Sequence, residues 1–176
     1  ALNAGRLRGM GAASITCLLP LNNANAFTDG FARAEILGRV SVPVLFGACA
    51  QAVGSDPGHF CSSLAEAGYA GIANFPSVVH LDGTPRAALE AVGLGLACEV
   101  ALLATGKAAG LTTLGYAKTR GEVEAFVAAG VDMLCLNFGW NAGGTLGAPL
   151  ELGLEEAADR ARRIFRNVRE IAPDVL

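Results

Sequence analysis

A short apolar run lies between a glycine and a polar end in the stretch Gly68-Tyr69-Ala70-Gly71-Ile72-Ala73-Asn74-Phe75-Pro76. Its apolar part, residues 70–75, is nearly continuous rather than alternating, which is typical of a parallel strand buried on both faces. Three more segments of this kind lie outward from it along the chain, at residues 42–48, 111–116 and 133–138. The sequence therefore predicts four buried strands.

Helical patterns lie between and beyond these strands, and they predict helices over residues 25–40, 57–67, 84–109, 119–130 and 154–171. Asp56 before Pro57 is a typical helix start, because the carboxylate caps the first turn and proline fits its first position. Thr119 with Glu122 three residues later is the pattern of a capping box. The segment 84–109 contains two glycines, so one bent helix and two separate helices both stay open.

Regular alternation of helices and strands predicts an α/β fold with a parallel sheet and right-handed crossovers. The chain has 176 residues, whereas an eight-stranded (β/α)₈ barrel typically takes about 250. On the residues alone, a small open sheet and a part of a barrel both satisfy the order of the elements.

The composition excludes several classes of protein. The chain is 52% hydrophobic and 16% charged, with a net charge of −3, which argues against a disordered chain and against nucleic acid as the main partner. No run approaches the roughly 18 to 20 apolar residues that a bilayer span requires. We therefore expect one domain that has neither nucleic acid nor a membrane as its partner.

The cysteines and the N-terminal region bear on the compartment. The cysteines are odd in number and form no Cys-x-x-Cys pair; they are Cys17, Cys49, Cys61, Cys98 and Cys135. This pattern predicts buried thiols in a reducing compartment, which we take as cytoplasmic. A rival interpretation is a secretory signal, because Arg6 and Arg8, the apolar residues 10–21 and the Ala24-Asn25-Ala26 sequence imitate one.

Polar residues near the ends of the predicted strands are the first candidates for a site, because parallel α/β folds place their working groups at the carboxyl ends. Asn74 lies at the end of the second strand, and Asn137 lies at the end of the fourth. On the third strand, the strand-end rule selects Thr112 and Thr113. We expect Asn74, Thr112 and Asn137 to point toward one concave surface.

The loop after the fourth strand is rich in glycine. Gly143 and Gly144 could hold an anion through successive backbone N–H groups, or they could simply form a tight turn before the next helix. The loop lacks the Lys-Ser/Thr ending of a nucleotide-binding P-loop. Anion binding and a structural turn both stay open.

Two carboxylates are candidates for proton transfer. Glu99 interrupts the apolar residues 94–103, so it is either buried with a raised pKa or exposed on a helix. Asp82 lies beside His80 in the loop after the second strand, where an ordinary turn and helix cap is the alternative. The sequence shows no metal-ligand cluster, and the cofactor stays unassigned, with a divalent metal such as Mg²⁺ left open.

Several segments together resemble one family, the phosphoenolpyruvate hydrolase-like TIM barrels; they are residues 68–77, 81–84, 90–99, 111–113, 130–134 and 143–148. The segment Asn3-Ala4-Gly5-Arg6 also resembles the Asn-Ser-Gly-Arg segment that follows the second barrel strand in that family. The resemblance implies that the four strands are strands 3 to 6 of a (β/α)₈ barrel. Residues 1–176 would then form a single incomplete barrel domain, without the first strand or strands and without strands 7 and 8.

The sequence also departs from the family pattern. After the sixth barrel strand the family usually has His-Met-Gly, where this chain has Asn137-Phe138-Gly139, and the usual Thr-Thr-Pro-Tyr becomes Thr112-Thr113-Leu114-Gly115-Tyr116. These changes indicate a divergent subgroup.

The resemblance implies an enzyme, a hydrolase or lyase, that acts on a small anionic carbonyl or enol-phosphate acid. Arg6, with Asn3, and the Gly143-Gly144 backbone would hold the anion, and Thr112 and Thr113 would complete the substrate-binding set. Asn74 and Asn137 would polarise an oxygen, and Glu99 or Asp82 would move a proton. The rival is a non-catalytic ligand-binding or signalling barrel.

The incomplete barrel also bears on association. Open sheet edges expose unpaired N–H and C=O groups, and an open barrel exposes interior apolar side chains. We therefore expect the chain to pair with another copy as a homo-oligomer, or to belong to a longer protein. We also expect that it is not a self-sufficient catalyst.

Overall fold

A computed structural model describes residues 23–138 and 152–176 of the chain. The predicted site residues Asn3, Arg6, Gly143 and Gly144 lie outside these ranges, as does Cys17. The described part is an α/β structure with a four-stranded parallel sheet and six helices.

The sheet contains β1 (Leu45–Gly47), β2 (Gly71–Ala73), β3 (Thr112–Ala117) and β4 (Met133–Leu136). The strands lie side by side in chain order, and every neighbouring pair is parallel. The predicted arrangement is therefore confirmed. It is consistent with a partial TIM-barrel-like fold, and closure into a barrel stays a prediction.

The six helices of the described residues are α1 (Ala24–Glu35), α2 (Pro57–Glu66), α3 (Gly83–Ala91), α4 (Leu96–Ala108), α5 (Arg120–Ala128) and α6 (Leu154–Ile171). Two short 3₁₀ turns, Ala50–Ala52 and Val78–His80, follow β1 and β2. Segment 84–109 thus forms two helices, and the chain turns between them at Gly93, where φ is +77°. Ala24-Asn25-Ala26, the imitation of a cleavage site, forms the first turn of α1.

The predicted helix caps are present. Asp56 accepts a hydrogen bond from the backbone N–H of His59 at 2.8 Å and so begins α2. Thr119 and Glu122 form the reciprocal capping box at the start of α5. Side-chain to backbone bonds of this kind satisfy N–H groups that the first helical turn leaves unpaired, so these starts could be located from the sequence.

Close packing of helices on the sheet explains two of the glycines. A Cβ atom on Gly106 of α4 would lie 2.6 Å from Cγ2 of Ile72, and one on Gly115 of β3 would lie 2.9 Å from the ring of Phe126. Both contacts are shorter than real Cβ contacts allow. Helix α4 therefore rests directly on β2, and α5 rests directly on β3.

Groups outside the four strands pair with the backbone at the two borders of the sheet. Asn25 at the start of α1 donates to the carbonyl of Cys49 at 2.9 Å and accepts from its N–H at 2.8 Å. Leu176 donates to the carbonyl of Asp132 at 3.2 Å and accepts from the N–H of Leu134 at 2.8 Å, the pattern of parallel pairing. Backbone groups at both borders of the sheet thus have partners.

The four cysteines within the described ranges form no disulfide; Cys49 and Cys61 are buried, and Cys98 and Cys135 are half-buried. Among the helices of this part of the chain, no single one is long and apolar enough to cross a bilayer. The pair α3 and α4, bent by 59° at its break, meets the length and composition of a span only when both helices are taken together.

Candidate functional site

Glu99 lies at the centre of a buried polar cluster at the carboxyl end of β2. Its Oε1 accepts hydrogen bonds from Nε2 of Gln51 at 3.1 Å and from the backbone N–H of Val78 at 2.8 Å. Its Oε2 accepts from Nδ2 of Asn74 at 2.7 Å and from Oγ of Ser77 at 2.6 Å. These five residues, the Glu99 cluster, tie α4 to the segments that follow β1 and β2.

Burial raises the pKa of Glu99 above its ordinary value, because loss of water disfavours the charged form. The four hydrogen bonds oppose that rise, since each donor stabilises the carboxylate. The side chain has no exposed surface, and both of its oxygens already have partners. The carboxylate is thus placed to hold the surrounding loops, and a dissolved ligand reaches it only by displacing the cluster.

Asn74 continues the pairing of β2 with β3 beyond the last residue of β2. Its Oδ1 accepts from the backbone N–H of Tyr116 at 2.6 Å, and its Nδ2 donates to the Tyr116 carbonyl at 3.2 Å. Because Nδ2 also donates to Glu99, the amide that we expected to polarise a substrate oxygen is engaged inside the protein. The side chain takes the place of backbone here, which explains why β2 is shorter than predicted.

Thr112 and Thr113 lie at the opposite end of the sheet from Asn74. They are the first two residues of β3, which continues to Ala117 before it reaches its carboxyl end. The expectation that these threonines share a face with Asn74 at the carboxyl ends is therefore wrong. Thr112 is exposed, and Thr113 is fully buried.

Thr113 belongs to a second polar cluster, around Asp132. Oδ2 of Asp132 accepts from the N–H and from Oγ1 of Thr113, both at 2.8 Å, and Nζ of Lys107 donates to Oδ1 at 2.8 Å. Burial alone would raise the pKa of Asp132, but the hydrogen bonds and the lysine charge outweigh it and lower the pKa. We call these three residues the Asp132 cluster.

Exposed charge lies at the carboxyl end of β3. Lys118 follows this strand directly, and its Nζ donates to Oδ2 of Asp82 at 3.1 Å. The side chain of Asp82 is 83% exposed and that of Lys118 is 20% exposed, so the aspartate is the partner that solvent surrounds. Asp82 is the N-cap residue of α3, as the turn-and-cap interpretation predicts, but its side chain makes no capping hydrogen bond.

His80 lies near this ion pair, at the end of the 3₁₀ turn that follows β2. Burial lowers the pKa of His80, the positive charge of Lys118 lowers it further, and the negative charge of Glu122 opposes both. A lowered pKa leaves the imidazole neutral near pH 7. We call His80, Asp82 and Lys118 the strand-end rim.

Val78 connects the strand-end rim to the Glu99 cluster. Its N–H donates to Glu99, and its carbonyl accepts from Nη1 of Arg86 at 2.8 Å. The same Nη1 donates to Oε1 of Glu122 at 3.3 Å, while Oε2 of Glu122 accepts from the N–H of Lys118 at 2.8 Å. The loop that carries His80 and the start of the loop that carries Lys118 are therefore held by one continuous set of contacts.

Asn137 lies at the same end of the sheet, one strand further along. Its backbone N–H donates to the carbonyl of Ala117 at 2.8 Å, which places it beside the end of β3. Of the predicted site residues, the structure thus brings Asn74, Glu99, Asp82 and Asn137 to the carboxyl ends of the strands.

The profile of the family described as phosphoenolpyruvate hydrolase-like matches residues 1–176, the whole chain. The chain belongs to the phosphoenolpyruvate hydrolase-like family. The family resemblance drawn from the motifs is thereby confirmed.

Two relatives of this phosphoenolpyruvate hydrolase-like chain are named as regulatory or virus-susceptibility proteins. It is 46% identical over 182 residues to the "Putative transcriptional regulatory protein y4pA" of Sinorhizobium fredii, a match that covers all of this chain and 29% of that protein. It is 34% identical over 174 residues to the "ToMV susceptible protein tm-1(GCR26)" of Solanum lycopersicum, covering 99% of this chain and 23% of the tomato protein. The chain therefore spans less than a third of the length of these relatives.

Sequence reasoning assigned no role to several residues that build the site in this phosphoenolpyruvate hydrolase-like protein. Lys118 has a readable signal, because it is the first residue after a buried strand and the strand-end rule applies to it directly. Gln51 and Ser77 also follow predicted strands, but nothing in the sequence connects them with Glu99, which is 48 and 22 residues away in the chain. Within residues 23–138 and 152–176, no group of three or more His, Cys, Asp or Glu side chains could hold a metal ion.

Proposed function

We propose that this phosphoenolpyruvate hydrolase-like protein binds a small anionic carbonyl or enol-phosphate acid at the strand-end rim. The observation that carries the proposal is the ion pair of Lys118 with Asp82. The lysine is largely covered and fixed at the end of β3, whereas its partner is 83% exposed. An incoming carboxylate or phosphate can therefore replace the aspartate at Nζ without breaking a buried contact.

His80 is the group in this proposal that exchanges a proton with the ligand. Its lowered pKa keeps the imidazole neutral near pH 7, the form that can accept a proton. Glu99 acts as a positioning residue, because it holds Val78, and Val78 begins the turn that ends at His80. Asn137 keeps its proposed role of donating to a ligand oxygen from the neighbouring strand.

The test is titration of the chain with phosphoenolpyruvate by calorimetry. Lys118→Met removes the charge and keeps an aliphatic side chain, and we expect it to weaken binding by about 10-fold, the value of one charged hydrogen bond. Lys107→Met is the matched control, because Lys107 lies in the Asp132 cluster at the other end of the sheet. Equal affinities for the two variants would overturn the proposal.

A second candidate function is binding without turnover. It is favoured by the internal engagement of Asn74, a predicted substrate-binding residue, and of Glu99, a predicted catalytic residue, because both side chains are fully buried. Release of inorganic phosphate or pyruvate from phosphoenolpyruvate separates the two candidates. If the unchanged protein turns over phosphoenolpyruvate and His80→Ala binds it equally well but turns it over more slowly, the enzyme is supported. If both proteins bind it saturably and neither forms product, the binding module is supported.

A further inference from the structure

A groove of about 350 Å³ lies between the start of α5 and the middle of α6. None of its residues belongs to the strand-end rim, the Glu99 cluster or the Asp132 cluster. Its walls are formed by Thr119, Arg120, Arg160, Arg163, Ile164 and Asn167. We call this cavity the α5–α6 groove.

Two of the three arginines in the groove have no ion-pair partner among residues 23–138 and 152–176. Arg120 donates from Nε to Oε1 of Glu124 at 2.6 Å. Arg160 and Arg163 make no ion pair within the part of the chain that the structure describes. Guanidinium groups stay protonated at every physiological pH, so the α5–α6 groove has a net positive charge.

Phe138 holds one of these guanidinium groups in place. The Cζ atom of Arg160 lies over the Phe138 ring, 5.3 Å from its centroid. A cation–π contact of this kind leaves the guanidinium N–H groups that do not face the ring available for a ligand. Arg160 is therefore held by a cation–π contact and can still donate hydrogen bonds.

The other polar groups of the groove suit an anion with several acceptor oxygens. Oγ1 of Thr119 accepts from the N–H of Glu122 at 3.3 Å, so its hydroxyl hydrogen can donate outward. Asn167 adds an amide to the same wall. A tetrahedral phosphate presents enough oxygens for bidentate arginines and further donors, whereas a carboxylate presents only two.

The size of the groove selects a small ligand. A volume of about 350 Å³ is at the lower end of the roughly 300 to 1,000 Å³ of small-molecule sites. We propose that the α5–α6 groove binds inorganic phosphate or a small phosphate monoester, with Arg160 and Arg163 as the principal donors. The inference does not depend on the proposed function, because the groove uses different residues.

The test is calorimetric titration of the chain with inorganic phosphate at constant ionic strength. We expect the double variant Arg160→Ala/Arg163→Ala to bind about 10-fold more weakly or worse, since two charged donors are lost. Arg166→Ala is the matched control, because Arg166 is an exposed arginine of the same helix that does not line the groove. It should bind phosphate as the unchanged chain does.

Two single variants and a competing ligand complete the test. Arg163→Gln changes one exposed side chain and serves if the double variant fails to fold. Lys118→Met should leave phosphate binding unchanged, which separates this groove from the strand-end rim. If phosphoenolpyruvate competes with phosphate and binds more weakly to Arg163→Gln, the groove accepts a phosphate ester. If it does not compete, the ligand is free phosphate. Equal phosphate affinity in Arg163→Gln and Arg166→Ala, no saturable binding, or equal binding of pyruvate would overturn the inference.

Discussion

The Glu99 cluster and the Asp132 cluster secure opposite ends of the same sheet, and they do so with opposite electrostatics. Glu99 is fully buried and is held by four neutral donors, so burial dominates and its pKa is raised. Asp132 is 36% exposed at its side chain and has a lysine partner, so its pKa is lowered. A buried carboxylate that has no cationic partner needs hydrogen-bond donors from several loops, and these bonds hold the loops together.

The two clusters differ in how far their contacts extend. The Asp132 cluster connects neighbouring elements and ends there. The Glu99 cluster continues through Val78 to Arg86 and to the loops of the strand-end rim. At the carboxyl end these contacts reach Lys118, whose ion-pair partner Asp82 is 83% exposed.

The largest expected effect is the loss of the buried carboxylate. Glu99→Ala removes the acceptor of four hydrogen bonds, of which those from Asn74, Ser77 and Val78 are buried, and we expect the free energy of unfolding in urea to fall by about 3 kcal/mol. Glu66→Ala, at an exposed position of α2, should change it by no more than about 0.5 kcal/mol. A Glu99→Ala protein as stable as the Glu66→Ala protein would show that the cluster does not hold the loops.

The next comparison concerns pH. The pKa of Glu99 is raised in the folded state, so its protonated form favours folding below the ordinary value of 4.5, and this contribution is lost as the pH rises through the higher folded value. The pKa of Asp132 is lowered, so its contribution is present above 3.8 and is lost as the pH falls through the lower folded value.

Urea unfolding across acid to neutral pH measures both signs. As the pH rises, the unchanged protein should lose stability relative to Glu99→Gln. Over the same rise in pH, the unchanged protein should gain stability relative to Asp132→Asn. Two slopes of the same sign would contradict the electrostatic contrast between the clusters.

A smaller effect is expected at the amino end. Thr113→Val keeps the shape of the side chain and removes the hydroxyl that bonds Asp132, so we expect a loss of about 1 kcal/mol. Thr112→Val at the neighbouring, exposed position should be nearly neutral. If the two variants are equally stable, the hydroxyl of Thr113 does not contribute to the Asp132 cluster.

Much of the fold could be predicted from local patterns. Continuous apolar runs located the strands, and the caps at Asp56 and Thr119 located two helix starts, because these signals act between residues close in the chain. The boundaries of α6, residues 154–171, were also predicted correctly. Strand lengths were overestimated at β1 and β2, and at the end of β2 the side chain of Asn74 replaces backbone pairing.

The site was harder to predict, for physical reasons. Glu99 was found because a carboxylate in an apolar run must be either exposed or partnered, but its partners come from distant segments. Thr112 and Thr113 were misplaced because the strand-end rule was applied to the beginning of a strand. Catalysis, a cytoplasmic location, a homo-oligomeric state and the small anionic partner stay predictions.

The most direct test of the strand-end rim is a titration with phosphoenolpyruvate followed by amide chemical shifts in ¹⁵N-labelled protein. We expect the N–H signals of His80, Asp82 and Lys118 to move and saturate, while those of Thr113 and Asp132 stay in place. Shifts confined to the Asp132 cluster, or no shift at the rim at saturating ligand, would contradict this expectation.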